Sequence, residues 1–425
     1  MERKINTFLL KWKNDILRKP LIIYGARQIG KTYSVLSFGK KEYKNVVYFN
    51  TDNNKEIIEL FSKEKSTEKI ILKLSLISGE TILKEDTLII FDNVSSIDIV
   101  KGLKLFGSER SKYHIIAITP RRENLSLFKG EELQFKIMYE MNFEEYLHAK
   151  NEASLAELIK ESYKKRKTCP FHKIALDLFQ EYLVTGGFPE VIKEYLNGSS
   201  DYEIDAIKQK ISDCYKKETL YAKSLIDIQR SVEVLDSVPD QLSKENKKFQ
   251  YGLIGDGRRA KEYENAISYL VNNQIVYRSY KVNDIKSPLS SCRQTDSFKL
   301  YVPDDGMLYT MMHLNRKKFL TDENIKETIY ENHIAKSLIE SGYSLYYYQS
   351  QGKAEVNFVI QNRMGKIIPI EITTKQQSKA KSLSVFMKKY TTLQAYRITE
   401  NNFSTKKDIR YIPVYATFCL ENNEI

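Results

Sequence analysis

Short runs of apolar residues alternate with longer amphipathic segments along the first third of the chain. The apolar runs, each of a length suited to a buried strand, cover residues 21–24, 46–49, 87–92 and 113–119. Between them, residues 33–38 and 54–77 carry helical patterns without proline. Strands separated by helices are typical of βαβ units. The pattern therefore predicts an α/β domain with a mostly parallel sheet.

The pattern changes twice farther along the chain. Residues 143–225 are largely helical, with breaks at a basic loop (164–170) and at a glycine turn (185–189). Residues 228–279 follow the order helix, glycine turn, helix and short strand, which is the order of a winged helix. A rigid spacer between domains would show the same order. Beyond residue 320 the pattern predicts a second α/β unit, with strands at 345–348, 356–360, 367–372 and 411–415 and helices at 324–341 and 379–389.

Composition narrows the class of protein and of partner. A hydrophobic content of 42% and a charged content of 29% are typical of a globular protein. No apolar run reaches the roughly 18 residues of a transmembrane helix, and the first residues lack an apolar signal segment, so we expect a cytoplasmic protein that does not enter a membrane. The net charge of +12 suits an acidic partner such as nucleic acid, although basic residues spread over all surfaces would give the same value. The cysteines show no metal-binding spacing; they are Cys169, Cys214, Cys292 and Cys419.

The most specific motif lies directly after the first predicted strand. Residues 25–32 match the P-loop pattern G-x-x-x-x-G-K-[ST] at every fixed position. The backbone amides of such a loop, together with the N-terminus of the helix that follows, bind phosphate groups. We predict that the loop binds ATP, with Lys31 at the β- and γ-phosphates and the Thr32 hydroxyl on Mg²⁺. The predicted nucleotide-binding residues are Gly25, Ala26, Arg27, Gln28, Ile29, Gly30, Lys31, Thr32 and Tyr33.

Three residues at the ends of later strands are the predicted catalytic residues. Asp92 ends an apolar strand, where its carboxylate can hold Mg²⁺ together with Thr32. Asn93 stands where many hydrolysing P-loop enzymes have a glutamate. Its amide can orient a water but cannot accept a proton at neutral pH, so we predict good nucleotide binding with slow turnover. Thr119 ends the next strand and is the candidate polar residue facing the γ-phosphate.

A second group of polar residues lies near the C-terminus. Glu331 is on a predicted helix, Asn357 is near the start of a strand, and Glu371 and Thr373 share one face of the next strand. Convergent carboxylates could hold Mg²⁺ for phosphodiester cleavage. That chemistry would need an aspartate at position 357 and a lysine at position 373. Lys375 has the correct parity to replace the lysine, but an inactive nuclease-like scaffold is the favoured interpretation.

The chain resembles a group of bacterial and archaeal ATP-binding proteins that join an AAA-type P-loop domain to a C-terminal domain of unknown function with a degenerate nuclease-like fold. The resemblance extends over nearly the whole chain. It rests on residues 18–32, 142–147, 182–190, 330–332, 355–358 and 370–372. It implies ATP and Mg²⁺ as cofactors for the N-terminal domain.

This chain departs from the family at several charged positions. The family commonly has Asp-Glu at residues 92–93, Gly-Arg at 130–131, Glu-Val-Asp at 355–357 and Glu-x-Lys at 371–373. Each departure removes or reverses a charge, and the resemblance therefore implies that ATP hydrolysis and DNA cleavage are both impaired. AAA-type domains often form rings in which an arginine enters the neighbour's site. Arg121 and Arg122 are the candidates for that role if the protein is an oligomer.

These observations together predict the fold class and the division of the chain. The fold class is α/β, with a P-loop NTPase (AAA-type) parallel-sheet domain, a helical lid, a winged-helix segment and a restriction-endonuclease-like α/β domain. The predicted boundaries are 1–160, 161–227, 228–315 and 316–425. The leading hypothesis is an ATP-binding protein with weak ATPase activity whose nucleotide state positions the C-terminal domains on a protein partner. The alternatives are a non-enzymatic, nucleotide-regulated DNA-binding protein, with Arg258, Arg259 and Lys261 on phosphates, and an active Mg²⁺-dependent nuclease.

Overall fold

The computed structural model describes residues 1–52, 54–108, 112–120, 131–350, 355–374, 380–390 and 394–422. The chain divides into two compact units, Met1–Tyr139 and Glu140–Ile425. In the first unit the strands are β1 (Leu21–Tyr24), β2 (Asn45–Asn50), β3 (Thr87–Asp92), β4 (His114–Thr119) and β5 (Gln134–Ile137). Its helices are α1 (Lys4–Lys13), α2 (Lys31–Glu42), α3 (Lys55–Lys63), α4 (Thr67–Ser78) and α5 (Ile97–Ser108).

The first unit is built on a five-stranded sheet in the order β2-β3-β4-β1-β5. All neighbouring strands in it are parallel, which confirms the predicted parallel sheet and the four predicted strands. β3 and β4 are buried along their whole length, as expected for central strands covered on both faces. Because the strands are parallel, their C-terminal ends meet at one edge, where ligands bind in such sheets.

Two local features of the first unit differ from the predicted pattern. The predicted helix over residues 54–77 is two helices, because Glu64 is extended and the Ser66 side chain caps a new helix by accepting a bond from Lys69 N. Strand β5 was not predicted. Its residues alternate between polar and apolar and are only partly buried, so they form no continuous apolar run.

The second unit combines many helices with a second sheet. Its helices are α6 (Phe143–Ala149), α7 (Ala153–Lys165), α8 (His172–Thr185), α9 (Pro189–Leu196), α10 (Asp201–Glu218), α11 (Leu225–Ser243), α12 (Ala260–Asn272), α13 (Asp305–Met311), α14 (Arg316–Thr321), α15 (Glu323–Glu340) and α16 (Ala380–Tyr390). Its strands are β6 (Tyr277–Val282), β7 (Arg293–Tyr301), β8 (Tyr346–Gln349), β9 (Glu355–Gln361), β10 (Ile367–Thr373), β11 (Ala395–Thr399), β12 (Ser404–Lys406) and β13 (Ile409–Pro413). Within the described ranges of the chain, no helix is long and apolar enough to cross a bilayer.

The eight strands of the second unit form one mixed sheet. Their order is β12-β13-β11-β10-β9-β8-β6-β7, and β6 runs parallel to β8 with Tyr280 opposite Tyr346. The antiparallel pair β6 and β7 falls within the predicted winged-helix segment, yet here it continues the sheet of the predicted C-terminal domain. The strands of residues 228–315 and 316–425 thus share one sheet. The winged-helix and four-domain interpretations stay predictions.

Two sequence segments that carry the family resemblance have structural roles in the second unit. Asn142 and Glu145 form a reciprocal capping box at the start of α6. In the turn before α9, Gly187 N donates to the buried carboxylate of Asp304 at 2.6 Å. A Cβ at Gly187 would lie 2.3 Å from Met141 O, so only glycine fits this turn. These contacts give both segments a structural role in the fold.

Candidate functional site

The loop between β1 and α2 has the backbone shape of an anion-binding loop. Gln28 and Gly30 are left-handed, with φ values of 63° and 86°. Gly25 lies so close to the backbone of the segment after β5 that a Cβ there would be 2.1 Å from Met138 O. Gly30 is the N-cap of the twelve-residue helix α2, so the first amides of that helix are directed toward the loop. Both glycines of the motif are therefore required by the backbone itself.

Lys31 is buried and folds back along the loop that precedes it. Its Nζ donates to Gly25 O at 2.9 Å and to Ala26 O at 2.5 Å. Only 8% of the residue is exposed, so its charge lies in a region of low dielectric. Both partners are backbone carbonyls of the same loop, which the ammonium can exchange for phosphate oxygens. The role of Lys31 at the β- and γ-phosphates stays a prediction.

Thr32 and Asp92 are brought together at the C-terminal edge of the sheet. Thr32 Oγ1 donates to Asp92 Oδ2 at 2.8 Å, across sixty residues of sequence. Asp92 is 4% exposed, and its other oxygen accepts a bond from Asn93 N at 2.8 Å. A hydroxyl and a carboxylate are the hard oxygen ligands that Mg²⁺ prefers. These two residues could hold the metal, as the sequence predicts.

Tyr48 is a further member of this group that the sequence analysis missed. Its hydroxyl donates to Asp92 Oδ2 at 2.9 Å, the oxygen that also accepts the bond from Thr32. Burial, followed by the hydrogen bond to Asp92, raises the pKa of Tyr48 to about 12. The strand register gives the signal that could have found it, because β2 pairs with β3 with Asn50 opposite Asp92 and Tyr48 lies two residues earlier on the same face.

The backbone conformation of residue 93 explains why an asparagine is found there. Its φ is 58°, in the left-handed region where asparagine is one of the few favoured residues other than glycine. The side-chain Nδ2 donates to Asn50 Oδ1 at 3.3 Å. An amide at this position therefore has a local structural reason, in addition to any effect on hydrolysis.

The other predicted residues of the nucleotide site lie around this centre. Thr119 is 5% exposed and stands opposite Tyr24 in the β1–β4 register, level with the start of the loop. Ile29 and Ala26 are buried, whereas Tyr33 is 67% exposed on the first turn of α2. Arg27 and Gln28 are partly buried. Arg121, Arg122 and Gly130 lie outside the described residues, and Glu131 is exposed.

Comparison with known families assigns this part of the chain. Residues 17–147 match the family model of an AAA domain. The N-terminal unit is an AAA domain. It is followed by matches to two further models, a domain of unknown function (DUF8612) over residues 176–318 and a domain of unknown function (DUF4143) over residues 326–417. The chain thus has the expected arrangement of an AAA-type nucleotide-binding domain followed by domains without an assigned role.

Two solved structures of ATPases are distantly similar to much of the chain. A Walker-type ATPase of Pyrococcus abyssi is 13% identical, with a TM-score of 0.40, and the match covers 73% of this chain and 95% of that one. A signal-transduction ATPase of Pyrococcus horikoshii with a tetratricopeptide-repeat sensor is 15% identical, with a TM-score of 0.30, over 80% of this chain and 45% of that one. A search of curated proteins finds no match to the chain. The assignment of the AAA domain rests on its family model.

In the second unit, the predicted nuclease residues are paired with cations. Glu331 is 1% exposed and accepts bonds from Lys247 Nζ at 2.9 Å, Lys299 Nζ at 3.0 Å, Tyr301 OH at 2.7 Å and Asn357 Nδ2 at 3.0 Å. Burial opposes ionisation of Glu331, but the two lysines outweigh it and hold the pKa of the carboxyl below its usual range. Every oxygen of this carboxylate is thus engaged by donors from the protein.

The remaining carboxylates of this group are neutralised in the same way. Glu355 accepts a bond from Lys299 Nζ at 2.6 Å. Glu371 accepts a bond from Arg397 Nε at 2.8 Å and forms an ion pair with Arg397 Nη2 at 2.6 Å. Asn357 links the group to β10, because its Oδ1 accepts a bond from Ile372 N at 3.1 Å. Thr373 lies opposite Thr399, and Lys375 is outside the described residues.

The structure therefore places Glu331 and Asn357 in contact but gives the group of Glu331, Glu355 and Glu371 no excess of negative charge. Glu331 and Glu355 are balanced by Lys247 and Lys299, and Glu371 is balanced by Arg397. Tight Mg²⁺ binding needs uncompensated carboxylates. The sequence analysis missed these cations, which is the reason that it treated the carboxylates as available ligands.

Proposed function

We propose that the AAA domain binds ATP together with Mg²⁺. The observation that carries this proposal is the convergence of the Lys31 ammonium, the Thr32 hydroxyl and the Asp92 carboxylate at the end of β1 and β3. Lys31 and the loop amides would bind the phosphate oxygens, and Thr32 and Asp92 would hold the metal. The ion would neutralise charge on the β- and γ-phosphates. The donors present fit both groups.

Hydrolysis is proposed to be slow, because the residue beside Asp92 is not a base. An Asn93 amide cannot take a proton from the attacking water, and general-base assistance typically contributes about 10²–10⁴-fold in rate. The hydrogen bond from Asn93 to Asn50 further engages the amide with a neighbouring side chain. The domain would then act mainly through its nucleotide-bound state.

Replacing Asn93 by glutamate is expected to increase the ATPase rate by about a hundredfold, the lower end of the contribution of a general base. Glutamate would adopt a left-handed backbone here, at a cost of about 1–2 kcal/mol in the free energy of unfolding. Single-turnover phosphate release at saturating ATP and Mg²⁺ measures the rate, and denaturant unfolding measures the cost.

Asn93→Gln is the matched control, because it has the same length and backbone strain as the glutamate variant without the carboxylate. It should lose stability equally and gain no activity. An unchanged rate in Asn93→Glu would mean that a different defect, such as the charge of Glu131, limits turnover.

We propose further that the nucleotide state controls the second unit and, through it, a protein partner. The support is that the first unit leads directly into the second at residues 139–140, with no linker between them. On the two sides of this boundary, Met138 N donates to Tyr24 O at 2.9 Å, next to the phosphate-binding loop, and Met141 N donates to Gly187 O at 2.8 Å within the second unit. Measuring the mass in solution with ATP, with ADP and without nucleotide tests this proposal and the possible oligomer together. If the mass and the sedimentation profile are the same with ATP, with ADP and without nucleotide, the result would argue against the proposal.

Binding of duplex DNA is a second candidate function. The first turn of α12 and the residues before it expose Arg258, Arg259 and Lys261. If three phosphates are neutralised, the affinity for a duplex should fall about 40-fold between 50 and 200 mM salt. Changing the three residues to alanine should flatten this dependence. The matched control removes Lys164, Lys165 and Lys167, which are also exposed and carry the same charge.

Incubating the same duplex with Mg²⁺ and measuring the length of the DNA afterwards tests for nuclease activity. We expect no Mg²⁺-dependent cleavage, because the carboxylates of the second unit are paired with lysine and arginine. Cleavage that requires Mg²⁺ and disappears in Glu371→Ala would contradict this.

In the binding experiment, a duplex affinity that depends only weakly on salt, and equally so in both triple variants, would count against specific phosphate contacts at α12.

A further inference from the structure

Arg3 is a buried arginine outside every motif that the sequence analysis identified. It immediately precedes α1 and is 7% exposed. Its Nη1 donates to Ile29 O at 2.8 Å, and its Nη2 donates to Tyr139 O at 2.7 Å. Ile29 lies inside the phosphate-binding loop, and Tyr139 lies two residues after β5 ends. One guanidinium therefore bridges two backbone segments that are more than a hundred residues apart.

The bond to Ile29 fixes the orientation of a peptide group within the loop. In a planar trans peptide, the carbonyl of one residue and the N–H of the next point in opposite directions. With the Ile29 carbonyl held by Arg3, the N–H of Gly30 is directed away from Arg3. This N–H immediately precedes Lys31, at the left-handed position that begins α2. Arg3 thus sets the direction of one of the amides that would bind phosphate.

The bond to Tyr139 fixes the segment against which the start of the loop is packed. Met138 N donates to Tyr24 O at 2.9 Å, and Met138 O lies 2.1 Å from the position of a Cβ on Gly25. Holding Tyr139 therefore holds the residue that limits where Gly25 can lie. The two donors of the guanidinium act on the beginning and the end of the same loop.

Burying a guanidinium is costly unless its charge is used in good hydrogen bonds. Its planar fork can bridge two acceptors, whereas a lysine ammonium is a point charge on a flexible stem. A loop fixed before binding spends less of the interaction free energy on ordering. We infer that Arg3 is a positioning residue that preorganises the phosphate-binding loop for nucleotide; this inference rests on the proposed binding of ATP.

The test compares Arg3→Ala and Arg3→Lys with Lys11→Ala, which removes an exposed charge from α1, the helix that follows Arg3. Titration with a fluorescent ATP analogue and Mg²⁺ gives the affinity, and hydrogen–deuterium exchange without nucleotide follows the backbone of residues 25–32. Both Arg3 variants should bind at least tenfold more weakly, about the effect of one charge-assisted hydrogen bond. Exchange at residues 25–32 should rise while that of β3 stays unchanged, and saturating nucleotide should restore protection.

The outcomes separate this inference from the proposed function. Wild-type affinity in both Arg3 variants, or wild-type affinity in Arg3→Lys alone, would overturn the role of the fork. A uniform rise in exchange over the whole first unit would show a merely structural role and overturn it as well. If the wild-type protein binds no nucleotide, the proposed function fails. Selective loosening of residues 25–32 in the Arg3 variants would still support the positioning role.

Discussion

Replacing Lys31 by alanine is expected to remove most of the stabilisation of the AAA domain by nucleotide. A ligand at one hundred times its Kd stabilises the folded protein by about 2.7 kcal/mol. Hydrogen bonds to a charged group contribute about 1.5–3 kcal/mol each, so losing the buried ammonium should weaken binding by about a hundredfold. At the same ATP concentration the stabilisation would then fall to about 0.4 kcal/mol. Thermal unfolding with and without ATP and Mg²⁺ measures the difference.

Lys40→Ala is the matched control for this prediction. Lys40 is on the same helix, α2, but is exposed in its last turn. The control should keep the full thermal shift with ATP. Lys31→Ala will also lose the two bonds to Gly25 O and Ala26 O, so each variant is compared with its own nucleotide-free state. An undiminished shift in Lys31→Ala would refute the nucleotide site.

Glu331→Gln is expected to destabilise the second unit by about 3–5 kcal/mol. The substitution keeps the size of the side chain but leaves Lys247 and Lys299 buried with reduced compensation, and breaking a buried ion pair has a cost of this order. Denaturant unfolding of the full chain measures the loss. Glu327→Gln, on the same helix but with a partly exposed side chain, should change stability by less than about 1 kcal/mol.

The pH dependence of unfolding gives a second readout for Glu331. Its pKa in the folded protein is held below the ordinary value of 4.5, so its contribution is fully present above that value and is lost as the pH falls toward the folded value. The acid side of the stability curve should be shallower in Glu331→Gln than in the wild type. Removing the charge of Lys299 as well should recover part of the loss, because one uncompensated cation disappears. A variant as stable as the wild type would contradict the buried ion pairs.

The elements that build the nucleotide site could be predicted because each has a strong local signal. β1 and β3 are continuous apolar runs, and the glycines of the loop between β1 and α2 are dictated by backbone sterics. The pairing of Thr32 with Asp92 followed from the rule that parallel strands end at one edge of the sheet. The sequence therefore sufficed where short-range patterns determine the structure.

What the sequence did not predict depends on contacts between distant residues. Lys247 and Lys299 meet Glu331 from 84 and 32 residues away, and nothing in their local pattern distinguishes them from surface lysines. The bond from Arg3 to Tyr139 joins residues that are 136 positions apart, so the local sequence around Arg3 could not predict it either. Asn93 shows a different limit: its left-handed backbone is a property of the turn after β3, which an apolar pattern does not encode.

The cation-filled carboxylate group has a consequence for engineering. Introducing DNA-cutting chemistry into this scaffold could not proceed one residue at a time. Asn357→Asp alone would add a carboxylate beside Glu331 while Lys247 and Lys299 still held the space that a metal would need. Removing either lysine first would leave Glu331 buried with only one of its two cations, at a cost in the stability of the unit. Because of the two ammonium groups, a metal site could be built here only by changing several positions at once.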